Sequence, residues 1–310
     1  MATLPCAGPA CLPRLALRRV VEEEGGGGRA AGLFPDGTPQ RRELERSQIT
    51  APVPKQFQGL VPFRGLDLAL WDLRGKAAGR STAQLLGGRI HPRLPTYMTV
   101  WDDIPDALIG KHTAFKFHLG AGNLDTLVEV VSRARARVGP QVALMVDAWL
   151  KWDVPFTLRF AERAAPFRLD WIEEPLPPDD LAGSAELVRR APIPIARGEH
   201  EFTAATFADL IERRLHHVVQ PDVCWCGGMT ELVKIYRTAR DHGARVCPHR
   251  GAEISALHVL AALDPEPLAG SGRPSMTWVG GQPPIQAGHI DVPTAPGFGA
   301  VIDEALFGHE

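Results

Sequence analysis

The sequence predicts an α/β fold, a (β/α)8-type barrel, and three observations predict it. Short apolar segments of strand character alternate with amphipathic helical segments along most of the chain, the signature of a parallel sheet. Seven such strands, with a weak eighth, suit a closed barrel better than an open doubly wound sheet. No Gly-x-Gly-x-x-Gly follows any strand, which weakens the dinucleotide-binding alternative.

Taken in order, residues 1–40 have no apolar periodicity. The run Glu22–Gly37 is charged and then glycine-rich, and it reads either as a hairpin with a glycine turn or as partly disordered. Organisation begins near residue 60, where Leu66, Ala69, Leu70 and Leu73 recur at helical spacing as an apolar stripe. Ala83, Leu85 and Leu86 continue on a short second helix that Gly87–Gly88 stops. The strands then follow at Thr96–Trp101, Ala114–Leu119, Ala143–Trp149, Leu169–Glu173, Ile193–Glu199, His217–Val223 and Ala244–His249, with the weak eighth at Pro267–Ala269. Helices are expected at Asp125–Val138, Pro155–Ala165, Leu181–Arg190, Ala204–Arg213, Met229–Asp241 and Ile254–Ala262. Beyond Val279 the text is turn-rich, and it is expected to pack back onto the N-terminal segment. The resulting division is 1–90, 91–278 for the barrel, and 279–310 for the returning C-terminal segment.

Composition bounds the function. The 310 residues are 45% hydrophobic and 23% charged, ordinary for a globular chain with a large core. A formal net charge of −2 suggests neither a nucleic-acid nor an anionic-membrane partner. No apolar run approaches the roughly 18–20 residues of a membrane helix. The opening residues lack a leading basic region and are broken by prolines, so they read as no secretory signal. Five cysteines, an odd number, argue against a disulfide framework. Cys224 and Cys226 are closer than usual zinc spacing and read as packing residues. A reducing cytoplasm fits this usage.

The strand ends carry the chemistry. Asp147, Glu173 and Glu199 each close an apolar strand; the three strands are consecutive and about 26 residues apart, close to one βα unit. That is the face on which barrel enzymes build their sites. Three converging carboxylates repel one another and do not all ionise unaided; a divalent cation resolves the conflict, and an all-oxygen set suits Mg2+. Asp222 and His249 end the next two strands. A carboxylate beside an imidazole orients the ring and raises its basicity, preparing a general base. On strand two, Lys116 and His118 lie two apart and share one side. If that side is the interior, both face the carboxylates from across the barrel.

The ordered motifs GLDLALWDLRGKAAGRSTAQLLGG, DAWLKW, WIEEPLPPDD, RGEHEFT, QPDVCWCGGMTELVKI and PHRG resemble the enolase superfamily, in its mandelate racemase branch, and within it acid-sugar dehydratases of the L-rhamnonate type. The resemblance spans roughly residues 57–305. It implies a modified TIM barrel with an N-terminal α+β capping domain, truncated here to residues 1–90. It implies Mg2+ held by Asp147, Glu173 and Glu199, with His249, oriented by Asp222, exchanging protons with a sugar-acid substrate. The α-proton leaves, a metal-stabilised enediolate forms, the β-hydroxyl departs, and a 2-keto-3-deoxy acid results. Lys116 and His118 are carried over as acid/base or charge-supplying groups, His200 as a substrate contact, and Glu174 as a support for its neighbours. A small-molecule substrate, a homo-oligomer and a cytoplasmic location are the corresponding expectations.

Three departures from the family pattern stand out. The glutamate usual after strand eight is replaced at about that place by Gly270, with Glu266 the only near acid. Strand two carries Lys-x-His rather than Lys-x-Lys, which argues against a two-base racemase. The cap is short. Two readings therefore stay open beside dehydration: another reaction of the superfamily (racemase, epimerase or cycloisomerase), and a metal-binding barrel without activity.

Overall fold

The computed structural model describes residues 61–88, 91–271 and 279–302; residues 1–60, and with them the glycine-rich stretch, lie outside the described residues. Helix α1 (Val61–Ala77) and the one-turn α2 (Thr82–Leu85) come first. The barrel strands are β1 (Arg93–Val100), β2 (Ala114–His118), β3 (Ala143–Asp147), β4 (Ile172–Glu173), β5 (Ile195–Arg197), β6 (Val218–Val219), β7 (Arg245–Val246) and β8 (Ala269–Ser271). Between them run α3 (Leu124–Val138), α4 (Val154–Ala164), α5 (Leu181–Arg190), α6 (Thr203–Glu212), α7 (Met229–His242) and α8 (Ile254–Leu263). Short polar side chains begin three of these helices: Asn123, Asp153 and Asp180 each accept from a backbone N–H of the first turn. Among the described residues no helix is long and apolar enough to cross a membrane.

β1 to β7 pair in chain order, all parallel, and β8 pairs in parallel with β1, so the sheet curls back on itself. The β7–β8 seam is spanned by the Cys247 thiol, which donates to the Leu268 carbonyl at 3.3 Å. The weak eighth strand begins at Ala269, two residues later than the sequence suggests. Pro267, without an N–H, cannot donate to a ladder, which explains the later start.

Period-two alternation sorts the strand residues. Tyr97, Ala114, Met145, Ala196 and Val218 on β1, β2, β3, β5 and β6, with Trp171 just before β4 and Cys247 just after β7, fill the inside. Their neighbours Phe115, Leu144, Val146, Ile172 and Ile195 face out against the helices. Within Asp170–Pro175, Trp171 therefore plugs the barrel and Ile172 faces helices.

The C-terminal segment serves two places. β10 (Ile285–Gln286) and β11 (His289–Asp291) form a hairpin whose two-residue turn, Ala287–Gly288, has positive φ at both positions, and β11 pairs antiparallel with the start of β1. β9 (Val279–Gly280) pairs with β12 (Val301–Ile302). Between them Gly297 approaches α1 so closely that a Cβ on Gly75 would lie 2.5 Å from its Cα. The Phe298 N–H donates to Asp72 (2.8 Å) and the Thr82 N–H to the Gly297 carbonyl (2.8 Å).

One expectation is corrected. The stripe Leu66, Ala69, Leu70, Leu73 is not the buried face of α1: Leu70 is 51% and Leu73 45% exposed. The inward face holds Leu68 and Trp71 against the barrel core, flanked by Asp67 and Asp72 as hydrogen-bond anchors. Polar anchoring, which apolar periodicity does not register, sets the helix's rotation.

Candidate active site

The mouth of the barrel gathers the polar residues that end its strands. Asp147 and Glu173 are register partners across β3 and β4, and His118 is the partner of Asp147 across β2 and β3. Glu199 follows β5 after Gly198, whose φ of +140° turns the chain inward. A Cβ at Gly198 would meet the Phe207 ring at 2.9 Å, so glycine is needed there on both counts. Asp222 and His249 form an isolated parallel bridge beyond β6 and β7. Lys116, Asp147, Glu173, Glu199 and Asp222 are all buried, whereas the His249 side chain stays 25% exposed and reachable.

Lys116 lies between two carboxylates. Its ammonium is ion-paired with Glu173 Oε1 and sits 3.4 Å from Asp147 Oδ2. Burial alone would lower its pKa; Glu173 first, with Asp147 and Glu199, reverses that and holds it well above the ordinary lysine value. The other oxygen of Glu173 accepts from Gln220 Nε2 (2.7 Å) and Trp171 Nε1 (3.3 Å). His118 Nδ1 lies 3.1 Å from Asp147 Oδ2. Burial raises the Asp147 pKa, but Lys116 and His118 outweigh it and hold the carboxyl well below the usual range.

On the opposite side His249 Nδ1 lies 2.8 Å from Asp222 Oδ2, and its Nε2 lies 3.1 Å from Glu199 Oε2. Burial disfavours the imidazolium, but Glu199 and the bond to Asp222 raise its pKa above the ordinary histidine value. Glu199 is pushed up to about 7 by burial and by the neighbouring charges of Glu174, Asp147 and Glu173, against the pull of His249. Its Oε2, though close to His249, makes no hydrogen bond. A buried carboxylate oxygen with a nearby imidazole but no hydrogen bond is one that a further positive charge could take up.

Glu174 underlies the next loop. Its Oε1 accepts from the backbone N–H groups of Gly198 (3.2 Å) and His200 (3.4 Å), and its Oε2 lies 2.5 Å from His200 Nδ1. Burial lowers the His200 pKa, but Glu174 raises it further, to about 9. Among the described residues, Glu174, Glu199 and His200 bring one donor atom each within 4.8 Å of one another. Asp147 and Glu173 are not part of that trio; both are ion-paired with Lys116.

The family described as Enolase C-terminal domain-like matches residues 105–306. The chain belongs to the enolase superfamily, in its mandelate racemase branch. L-rhamnonate dehydratase of Saccharopolyspora erythraea is 36% identical over 265 residues, covering 78% of this chain and 67% of the relative. The crystal structure of L-talarate dehydratase from Polaromonas sp. JS666, complexed with Mg and L-glucarate, superposes with a TM-score of 0.72 at 27% identity, over 97% of this chain and 79% of that one. The 3,6-anhydro-D-galactonate cycloisomerase from Zobellia galactanivorans gives a TM-score of 0.75 at 25% identity, over 97% and 88%.

In this enolase-superfamily barrel, two residues of the site escaped sequence reasoning. Gln220 lies two before Asp222, so alternation alone assigns it to the same side. Tyr97 explains Gly270. The two are register partners on β1 and β8, and a Cβ on Gly270 would lie 2.3 Å from the Tyr97 hydroxyl oxygen. The space of a strand-eight side chain is thus taken by a phenol, buried edge-on to Trp171 and 5.5 Å below the Lys116 ammonium.

Proposed function

We propose that this protein is a Mg2+-dependent dehydratase of a sugar acid, an L-rhamnonate-like aldonate, yielding the 2-keto-3-deoxy acid and water. The observation that carries the reading is His249: Asp222 fixes its Nδ1 side, and its Nε2 faces Glu199 at the mouth where Asp147 and Glu173 also end. The residues fit a hard cation. Asp147, Glu173 and Glu199 offer oxygen only, and Glu199 Oε2 makes no hydrogen bond that a cation would have to displace; the alternative trio includes the nitrogen of His200 and suits Mg2+ less well. When bound, Mg2+ supplies the concentrated positive charge that makes a carbon acid beside a carboxylate acidic enough to ionise.

The chain's own groups do the rest. His249 Nε2 takes the proton from C2, and Asp222 stabilises the imidazolium that forms. The C3 hydroxyl leaves as water with a proton returned to it, and tautomerisation of the enol gives the 2-keto group, so the substrate loses one water overall. Lys116, buried on the strand-two wall, adds fixed positive charge. Incubating aldonates with the protein and Mg2+, and scoring 2-keto product, tests the reading. EDTA is expected to abolish turnover and His249→Asn to lower it by about 10²–10⁴-fold; an undiminished rate in His249→Asn overturns the assignment.

A second reading, racemisation or cycloisomerisation, is favoured by Lys116, which provides another proton-carrying group across the barrel from His249. Exchange of the α-hydrogen with deuterated water, without loss of water, identifies it.

A further inference from the structure

An ion pair is buried behind the loop that follows β5, and the proton-transfer scheme has no use for it. Arg197, the last residue of β5, is 5% exposed and Glu201 8%, and their side chains are ion-paired. The guanidinium also donates to the Ser184 hydroxyl (2.7 Å) and to the Pro178 carbonyl (2.7 Å). Strand alternation explains its direction: Ala196 fills the inside of the barrel, so Arg197 faces the helices, as Ile195 does. Packing does not explain a charge there. Ser184 lies in the first turn of α5, the end at which the helix dipole disfavours a cation. An apolar pair of similar volume is often as stable or more so, because two charges are costly to desolvate.

What the pair does is close a turn around a carboxylate of the site. Glu199 is the middle residue of the five from Arg197 to Glu201. In a continuing strand it would face outward with Arg197. Gly198, at φ +140°, inverts the chain and sends Glu199 to the mouth instead. Such a turn swings unless it is tied on both sides. On the barrel side Glu174 accepts from the Gly198 and His200 N–H groups, and the Glu201 N–H donates to the Gly198 carbonyl at 3.0 Å. On the helix side Arg197 grips Glu201 across the turn. Through Pro178 it also grips the loop that follows Glu173 and Glu174. One guanidinium thus spans the segments that carry two of the carboxylates, and its rigid fork meets three partners in fixed directions.

We propose that Arg197 and Glu201 are positioning residues for Glu199: their buried ion pair fixes the turn that presents this carboxylate to Mg2+. The proposal rests on the Mg2+ part of the reading above and not on which acid is the substrate. Mg2+ affinity is measured by calorimetry and stability by urea unfolding. The proteins are the wild type, Arg197→Met/Glu201→Met, Arg197→Lys, Glu199→Gln and Asp67→Ala. The methionine pair removes both charges at similar volume. It is expected to keep a urea midpoint near the wild type's and to bind Mg2+ roughly 10–100-fold more weakly, as loss of a ligand's supporting partner does. Arg197→Lys keeps the charge but not the fork, and weakens binding by at least about threefold. Asp67 bonds to Thr230 and to no residue of the site, so Asp67→Ala lowers the midpoint but leaves Mg2+ affinity unchanged. That contrast separates lost position from lost stability. An unchanged Mg2+ affinity in the methionine pair overturns the proposal; should that pair not fold, an unchanged affinity in Arg197→Lys does so. Asp67→Ala weakening Mg2+ as much as these variants also overturns it. Glu199→Gln tests the reading beneath and is expected to remove the binding heat. Mg2+ bound equally well by Glu199→Gln overturns the metal assignment, whereas lost binding there beside an unaffected methionine pair overturns the clamp alone.

Discussion

His216 sits at the foot of β6, buried, with both ring nitrogens unpartnered. Burial, with the positive charges of Arg197 and His217, lowers its pKa to about 4. A histidine free in the unfolded chain titrates near 6.5. Above that value both states are neutral and the contribution is complete. As pH falls from about 6.5 to about 4 the unfolded chain takes up a proton that the folded one refuses, and stability drops by up to about 3 kcal/mol. Urea unfolding at pH 7.5 and pH 5 is expected to show a drop that His216→Leu diminishes by a large part; an identical drop in the variant contradicts it. The same scale shows what sequence makes legible. Asp147, Glu173, Glu199, Asp222 and His249 could be named because each ends an apolar run, and Lys116 with His118 because spacing of two fixes a shared side. Tyr97 and Gly270 could not be paired, since they lie far apart in sequence and meet only through the β1–β8 register.

Among elements, α7 has a missing part supplied from elsewhere. Its N-cap, Gly228, has no side chain to accept from the first turn. Asp67 of α1 does this instead: its carboxylate accepts from the Thr230 N–H (2.9 Å) and hydroxyl (2.5 Å), and Trp71 Nε1 donates to that hydroxyl at 2.9 Å. A carboxylate there also complements the helix dipole. Asp67→Ala is expected to cost about 1–3 kcal/mol by leaving these donors unmet, measured as a lowered urea midpoint; a change under about 0.5 kcal/mol would show that water replaces the cap. This anchor also accounts for the error over α1. Apolar periodicity located the helix, but its rotation follows Asp67, Trp71 and Asp72, whose partners lie more than 150 residues away. Strand and helix order was readable because each βα unit is local; the attachment of α1 to that series was not.

For the molecule as a whole, the crowded carboxylates make stability depend on the cation. A ligand that binds only the folded state at 100 times its Kd stabilises by about 2.7 kcal/mol. Mg2+ at that excess is expected to raise the melting temperature by several degrees. Glu173→Gln should abolish the shift if Asp147, Glu173 and Glu199 are the ligands, while His200→Ala should spare it; the reverse pattern transfers the site to Glu174, Glu199 and His200.

The interlock of Tyr97 with Gly270 couples β1 to β8 energetically. Gly270→Ala alone forces a methyl into the phenol and is expected to cost about 1–3 kcal/mol, relieved when Tyr97 becomes leucine. Tyr97→Leu alone opens a void of ring size beneath Lys116. Each residue thus constrains the other, and a side chain at Gly270 is accommodated more readily once the Tyr97 ring is gone. The pair works as a coupled lock: a change at either position shifts the cost of a change at the other, so the two substitutions are expected to be non-additive in a double-mutant cycle.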